Sequence, residues 1–351
     1  MGHVYKAVQW TPFKKRHDLV LGLGVAVFVT GFIESALFSQ APGSRPTEIQ
    51  IVLRALGAAA FALLTLTLAI GPLARLHPRF APLLYNRRHI GVTVFLLALA
   101  HAALVLIWYH GFSPTNPFLS LLIANPRYDS IQGFPFESLG LLALLILLVM
   151  AATSHDFWNA LLGPGLWKAL HFGAYFAYTA VIGHVVLGAL QAEKASGYAW
   201  AVGLSAGSLI CLHTLAARKA MRQDNNPATT TQPGWLIGPI AQDIPDKRAQ
   251  ILTPPVGEAI AVFRDGDKIY AMSNRCRHQG GPLGEGKIVD GCVTCPWHGF
   301  QYRPEDGASP PPYAEKISTY RTRIVGGVVE VDPIPLPPGT PVPPSTIGPR
   351  T

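Results

Sequence analysis

Two cysteines and two histidines stand close together as Cys276-Arg277-His278 and, after sixteen intervening residues, Cys295-Pro296-Trp297-His298. Four such side chains could hold one zinc ion in a tetrahedron. The Cys-x-His then Cys-x-x-His order, with Gly280, Gly281 and Gly299 beside it, argues instead for a [2Fe–2S] centre. In such a centre two thiolates hold one iron and two imidazoles hold the other. The glycines permit tight turns and let backbone amides pack close to sulfur. Cys276, His278, Cys295 and His298 are therefore read as metal ligands, and no residue is given a catalytic role. Cys292 reads as a structural thiol, and Cys211, inside an apolar run, as packing.

A second set of histidines lies where imidazole is costly, inside long apolar runs. His89 and His101 share one run, and His171 and His184 share another. At 1.5 Å per residue the separations are about 18 Å and about 19.5 Å, so two helices offer imidazoles at two matching depths. That suits two haems stacked across a membrane, each between facing histidines. The helical phase is less tidy: His89 and His101 differ by about 120°, and His171 and His184 by about 140° in the opposite sense. His110 and His213 are reserve ligands.

The elements that must carry these groups follow from composition. Of 351 residues 49% are apolar and only 14% charged, far below the roughly one quarter usual for soluble chains. Six segments reach the roughly 20 residues needed to cross hydrocarbon: 18–38, 51–72, 89–110, 136–153 (the shortest), 167–190 and 198–216. The first follows a polar lead and reads as a span, not a cleaved leader. The net charge of +8 does not indicate nucleic acid, because the basic residues cluster beside the spans. Lys14, Lys15 and Arg16, then Arg75, Arg79, Arg87 and Arg88, then Arg218, Lys219 and Arg222 all fall on one side of a six-span chain. Both termini are thereby expected in the cytoplasm. The apolar stretch Phe118–Ile123 in the loop 111–135 reads as interfacial, and Glu34 as an interfacial carboxylate.

Residues 218–234 lack apolar periodicity and read as a linker. Beyond it, short runs such as Ala259–Phe263, Lys268–Ala271 and Val328–Val331, punctuated by Asp265-Gly266-Asp267, predict antiparallel strands. The domains are thus expected as 1–217 in the membrane, 218–234 as linker, 235–333 around the cluster, and 334–351 as a proline-rich extended tail. The fold class is an all-α six-span haem-binding bundle followed by a small all-β domain.

The membrane part resembles the ferric reductase-like transmembrane family, which includes NADPH oxidases and the haem-binding subunit of the bacterial methionine sulfoxide reductase system. The resemblance rests on Arg87-Arg88-His89-Ile90-Gly91 followed by His101. It rests further on Thr153-Ser154-His155-Asp156, on Trp167-Lys168-Ala169-Leu170-His171 with Tyr175, and on His184. It implies b-type haem, two in number, held by His89, His101, His171 and His184, with Arg87, Arg88 and Lys168 placed to pair with propionates. In the oxidase branch the third-span ligands are fourteen positions apart, which here puts Arg87 where the inner ligand would stand; His89 is the nearest histidine.

The stretches Cys276-Arg-His-Gln-Gly-Gly-Pro-Leu and Cys295-Pro-Trp-His-Gly-Phe resemble Rieske ferredoxins and the Rieske domains of aromatic-ring dioxygenases. The disulfide and the serine of respiratory Rieske proteins are missing, since Gly281, Trp297 and Phe300 occupy those positions. Fewer hydrogen bonds to sulfur imply a potential near about −150 mV, the low end of the Rieske range. About 100 residues leave no room for a flavin or nicotinamide fold beside the Rieske domain, and no histidine follows His298 to build an oxygenase iron site. The resemblances imply a conduit in a bacterial inner membrane. A cytoplasmic flavin reductase or ferredoxin supplies electrons, and a quinone or periplasmic partner takes them. Reverse flow, or a redox sensor that turns nothing over, stays open.

Overall fold

The computed structural model describes the chain except for residues 1–11, 39–45, 81–82, 85, 126, 128–129, 155–157, 159–161, 163–165, 168, 193–195, 225–229, 233, 279, 297–298, 312 and 349–351. It divides into two compact units, one formed by residues 8–75 and 86–214 and the other chiefly by residues 215–351.

The first unit is helical. Its main helices are α1 (Pro12–Phe38), α2 (Glu48–Leu76), α3 (Arg87–Val105), α4 (Phe136–Ala152), α5 (Gly173–Leu187) and α6 (Ser196–Asp224). A π turn over Leu106–His110 prolongs α3. Among the described residues five helices are long and apolar enough to cross a membrane. Helix α5 qualifies together with the turns that flank it, as Ala169–Gln191, whereas α4 stays short, its 17 residues spanning about 26 Å at helical rise, a little under the hydrocarbon thickness. The chain is thus a membrane-embedded, multi-pass protein.

The bundle core is built from Leu64 and Ala69 of α2, Val94 of α3, Ala143 and Leu147 of α4, Ala177, Tyr178 and Ala180 of α5, and Leu209 of α6. Alanines let helix backbones approach, which is how helices associate where lipid removes the hydrophobic drive. Phe61 stacks on Tyr178 with ring centroids 5.5 Å apart. Leu19, Val20, Leu23 and Val27 of α1 are more than half exposed, as a face toward acyl chains would be. The stretch Phe118–Ile123 forms most of a short helix, capped by Asn116 Oδ1 and tied to the end of α3 by a 2.9 Å bond between Ser120 and buried His110.

The second unit is mostly antiparallel strand. One sheet has the order β1 (Thr230–Gln232), β2 (Trp235–Ile240), β11 (Val328–Val331), β10 (Thr322–Val325). Another runs β12 (Ser345–Thr346), β5 (Lys268–Ser273), β4 (Ile260–Asp265), β3 (Ala249–Leu252), with β9 (Thr319–Tyr320) also on β5. A third is β6 (Lys287–Val289), β7 (Cys292–Thr294), β8 (Gln301–Tyr302). Strand β4 is buried on both faces and serves two cores. Ile260 and Val262 join Leu236, Ile269, Val329 and Val331, while Ala261 and Phe263 join Met272, Cys276, Cys295 and Tyr302. The side-chain period of two thus links the sheet scaffold to the cysteine loops. The β4–β5 connection is the expected turn, with Gly266 at φ 63°.

One expectation is corrected and one is extended. Residues 218–224 are not linker but continue α6, and Thr230–Gln232 already pairs with β2. The proline-rich tail does not trail away: Leu336 N donates to Thr319 O, Val342 N to Glu305 O and Ile347 N to Asp267 O, and Ser345 and Thr346 pair with Ile269 and Lys268. Prolines lack the amide, so the intervening residues do the bonding.

Candidate functional site

The two cysteine loops repeat one backbone pattern. Cys276 N donates to Gly281 O at 2.9 Å and Cys276 O accepts from Gly280 N at 2.7 Å. Cys295 N donates to Phe300 O at 2.8 Å and Cys295 O accepts from Gly299 N at 2.9 Å. Each loop turns back through a glycine with positive φ, 74° at Gly280 and 71° at Gly299, a conformation that costs other residues more. Both cysteines are buried, at 1% and 2% exposure. No disulfide is formed by any of the four cysteines. His278 lies half-buried, its ring stacked on Phe300 at 4.8 Å and 8°. Phe300 in turn packs on Tyr302 and Tyr313. His298 and Trp297 lie outside the described residues. Among the described residues no group of three or more His, Cys, Asp and Glu side chains stands close enough to hold a metal ion.

Tyr302 is a partner that the motif alone does not reveal. Its hydroxyl accepts from Arg277 N at 2.9 Å and lies 3.5 Å from Cys276 Sγ. With the oxygen engaged by an amide, the phenolic proton is left for sulfur. Burial, and then the adjacent Cys276, push this phenol far above its ordinary range, so it stays protonated and a donor. A hydrogen bond to a ligand sulfur favours the more negative, reduced state. Tyr302→Phe should accordingly lower the cluster potential by roughly 50 mV, about 1.2 kcal/mol at one electron. A potentiometric titration followed by electron paramagnetic resonance checks this, and an unchanged potential would contradict the bond. Cys292 is set apart: burial, then Glu305, pushes its thiol up, as suits a structural side chain.

In the helical unit the histidines share a feature. Nδ1 of His101 bonds Leu53 O at 2.7 Å, Nδ1 of His171 bonds Trp167 O at 3.0 Å, and Nδ1 of His184 bonds Phe136 O at 2.9 Å. Nδ1 of His89 bonds the carboxylate of Asp18 at 2.7 Å. A carbonyl only accepts, so these Nδ1 atoms carry the proton and each ring offers the lone pair of Nε2. His213 differs, since its Nδ1 bonds Leu209 O and its Nε2 takes the Tyr175 hydroxyl at 2.9 Å. That engagement weighs against His213 as a ligand.

His101 and His184 are brought together, ring centroids 6.3 Å apart and planes nearly perpendicular at 84°. Among the described residues no ring contact joins His89 to His171. The 120° phase difference along α3 turns His89 away toward α1, where its ring meets His17 at 6.3 Å as well as Asp18. His171 stacks on Trp167 at 3.7 Å, and the Trp167 indole donates to Thr153 O, joining two parts of the sequence motif. Arg87 lies beside Gly71 of α2, and Arg88 Nε and Nη2 are shielded from solvent. Lys168, His155 and Asp156 lie outside the described residues.

Residues 238–321 match the Rieske [2Fe-2S] domain family, and residues 56–182 match the ferric reductase like transmembrane component family. The anthranilate 1,2-dioxygenase ferredoxin subunit of Burkholderia cepacia is 45% identical over 74 residues, 21% of this chain and 68% of that protein. The chain belongs to the Rieske family. Its Rieske domain is fused to a ferric reductase-like transmembrane domain. The 3-phenylpropionate/cinnamic acid dioxygenase ferredoxin subunit of Escherichia coli K12 is 34% identical over 27% of this chain and 88% of that protein. The solved Sphingomonas yanoikuyae B1 ferredoxin aligns over 28% of this chain and 96% of its own, at 24% identity and a TM-score of 0.26. The donor set fits the Rieske centre: two thiols sealed from water at equivalent loop positions, and an imidazole at the rim. The protein is a membrane-associated electron-transfer protein bearing this domain.

Proposed function

We propose that the protein moves single electrons across a bacterial inner membrane, between its Rieske loops and a haem site at His101 and His184. The observation that carries this is the facing pair of imidazoles. Their 6.3 Å ring separation would admit one iron between two imidazole nitrogens. Carbonyl partners fix both tautomers, the arrangement by which proteins orient metal-bound histidine.

Cys276 and Cys295 would hold the buried iron of the Rieske centre, with His278 and His298 on the outer one. His101 and His184 would hold a haem b, and His171 is proposed as a ligand of a second, which His89 could join only by leaving Asp18. When bound, both kinds of group exchange one electron at a time without taking a substrate apart. The residues themselves bind, orient and insulate. Tyr302 donates to sulfur, Phe300 shields the His278 ring, and Leu53 and Phe136 hold the two Nδ1 protons. Arg87 and Arg88 are proposed to face propionates from the cytoplasmic end of α3.

The named relatives are ferredoxin subunits of dioxygenases, which supports a Rieske domain acting on behalf of separate proteins. We place a flavin reductase or ferredoxin in the cytoplasm as donor and a quinone or periplasmic protein as acceptor, with both chain termini cytoplasmic. Quantitation of haem and iron in the purified full chain tests the proposal. It should give two non-haem irons and one or two b-type haems per chain, and colourless protein would sink it.

A further inference from the structure

We infer that Gly57 and Gly140 are positioning residues, two notches that seat the facing imidazoles by one device used twice. The inference rests on the proposed haem site at His101 and His184. Gly57 follows Leu53 by one helical turn on α2, and Leu53 O takes the His101 Nδ1 proton. Gly140 follows Phe136 by one turn on α4, and Phe136 O takes the His184 Nδ1 proton. Carbonyl and histidine are 48 residues apart in both cases. Leu53, Gly57 and His101 recur 83 positions later as Phe136, Gly140 and His184.

Helix geometry explains why glycine stands there. A carbonyl at position i accepts from the amide at i+4 and keeps a second lone pair. Every Cα–Cβ bond tilts toward the helix N-terminus, so a side chain at i+4 hangs over that carbonyl. Glycine removes the overhang, and the ring edge occupies the space. A Cβ added at Gly57 would stand 3.1 Å from His101 Nδ1 and 3.2 Å from its Cε1. One added at Gly140 would stand 2.9 Å from His184 Nδ1 and 3.0 Å from its Cε1. The notch therefore sets the plane of each ring as well as its tautomer, and the two notches together give the crossed rings at 84°. Gly203 and Gly207 of α6, by contrast, have open space where a Cβ would go.

The ring planes have a spectroscopic signature. Crossed axial imidazoles leave the two iron orbitals that overlap them nearly equal in energy, and the low-spin ferric resonance is then highly axial; turning the rings toward parallel makes it rhombic. Gly140→Ala and Gly57→Ala in the purified full chain should shift that resonance toward rhombic or lose it, the larger change belonging to Gly140→Ala. Gly203→Ala should leave it as it was. Alanine favours helix over glycine, so a weakened helix does not account for such a loss. An unaltered Rieske resonance in the same sample reports that the rest of the chain is folded. If Gly140→Ala does not accumulate, Gly57→Ala, the looser of the two approaches, decides alone. A wild-type resonance in every glycine variant overturns the notch. A native chain that binds no haem instead overturns the site on which the notch depends.

Discussion

His184→Ala is expected to abolish the low-spin haem signal proposed for the His101–His184 site while the Rieske resonance stays at full intensity. Nothing else described at that site replaces the lost nitrogen. His101 keeps its bond to Leu53 O and presents Nε2 to an empty facing position, since the 6.3 Å ring separation leaves room for one metal between two imidazoles and no more. Changes one shell further out already weaken metal sites by about 10–100-fold, so removing a ligand should exceed about 100-fold. Optical difference spectra with haem quantitation measure it. If two haems bind, one should remain. Haem content equal to the native chain would refute the ligand assignment.

Cys295→Ser should do the converse, removing the Rieske signal and two irons per chain with the haem bands intact. Cys295 is 2% exposed and sits in the core with Val293, Phe300 and Tyr302. Serine matches the thiol in shape but is not a thiolate at neutral pH, so the buried iron loses one of its two sulfur ligands. A hydroxyl placed in that apolar setting costs about 1–3 kcal/mol more, which should appear as a lowered melting transition of the Rieske domain even in cluster-free protein. Iron analysis and paramagnetic resonance read the first effect and calorimetry the second. A normal resonance would mean that Cys295 is not a ligand.

The cysteine loops were legible because their ligands are neighbours along the chain, where spacing and glycine placement can be read directly. Tyr302 was not, because its approach to Cys276 comes from the folding of β8 against the first loop. The imidazole pair was half legible. Depth follows from helical rise, so His101 and His184 could be matched. The direction a ring faces depends on helix rotation, and Asp18 captures His89 in a way no periodicity predicts. Spans were visible from apolar length, although α4 is shorter than a typical span. The tail was half legible, because proline content signals an extended chain, while the few amides between prolines decide whether that chain is pinned.

The pinned tail has a practical consequence for the Rieske domain. Strand β12 lies along β5, covering backbone donors and acceptors that would otherwise form an open sheet margin. Such margins recruit strands from other molecules. A soluble fragment ended at Pro333 would bare that margin and should self-associate in solution, whereas one carried through Ile347 keeps its own guard against aggregation.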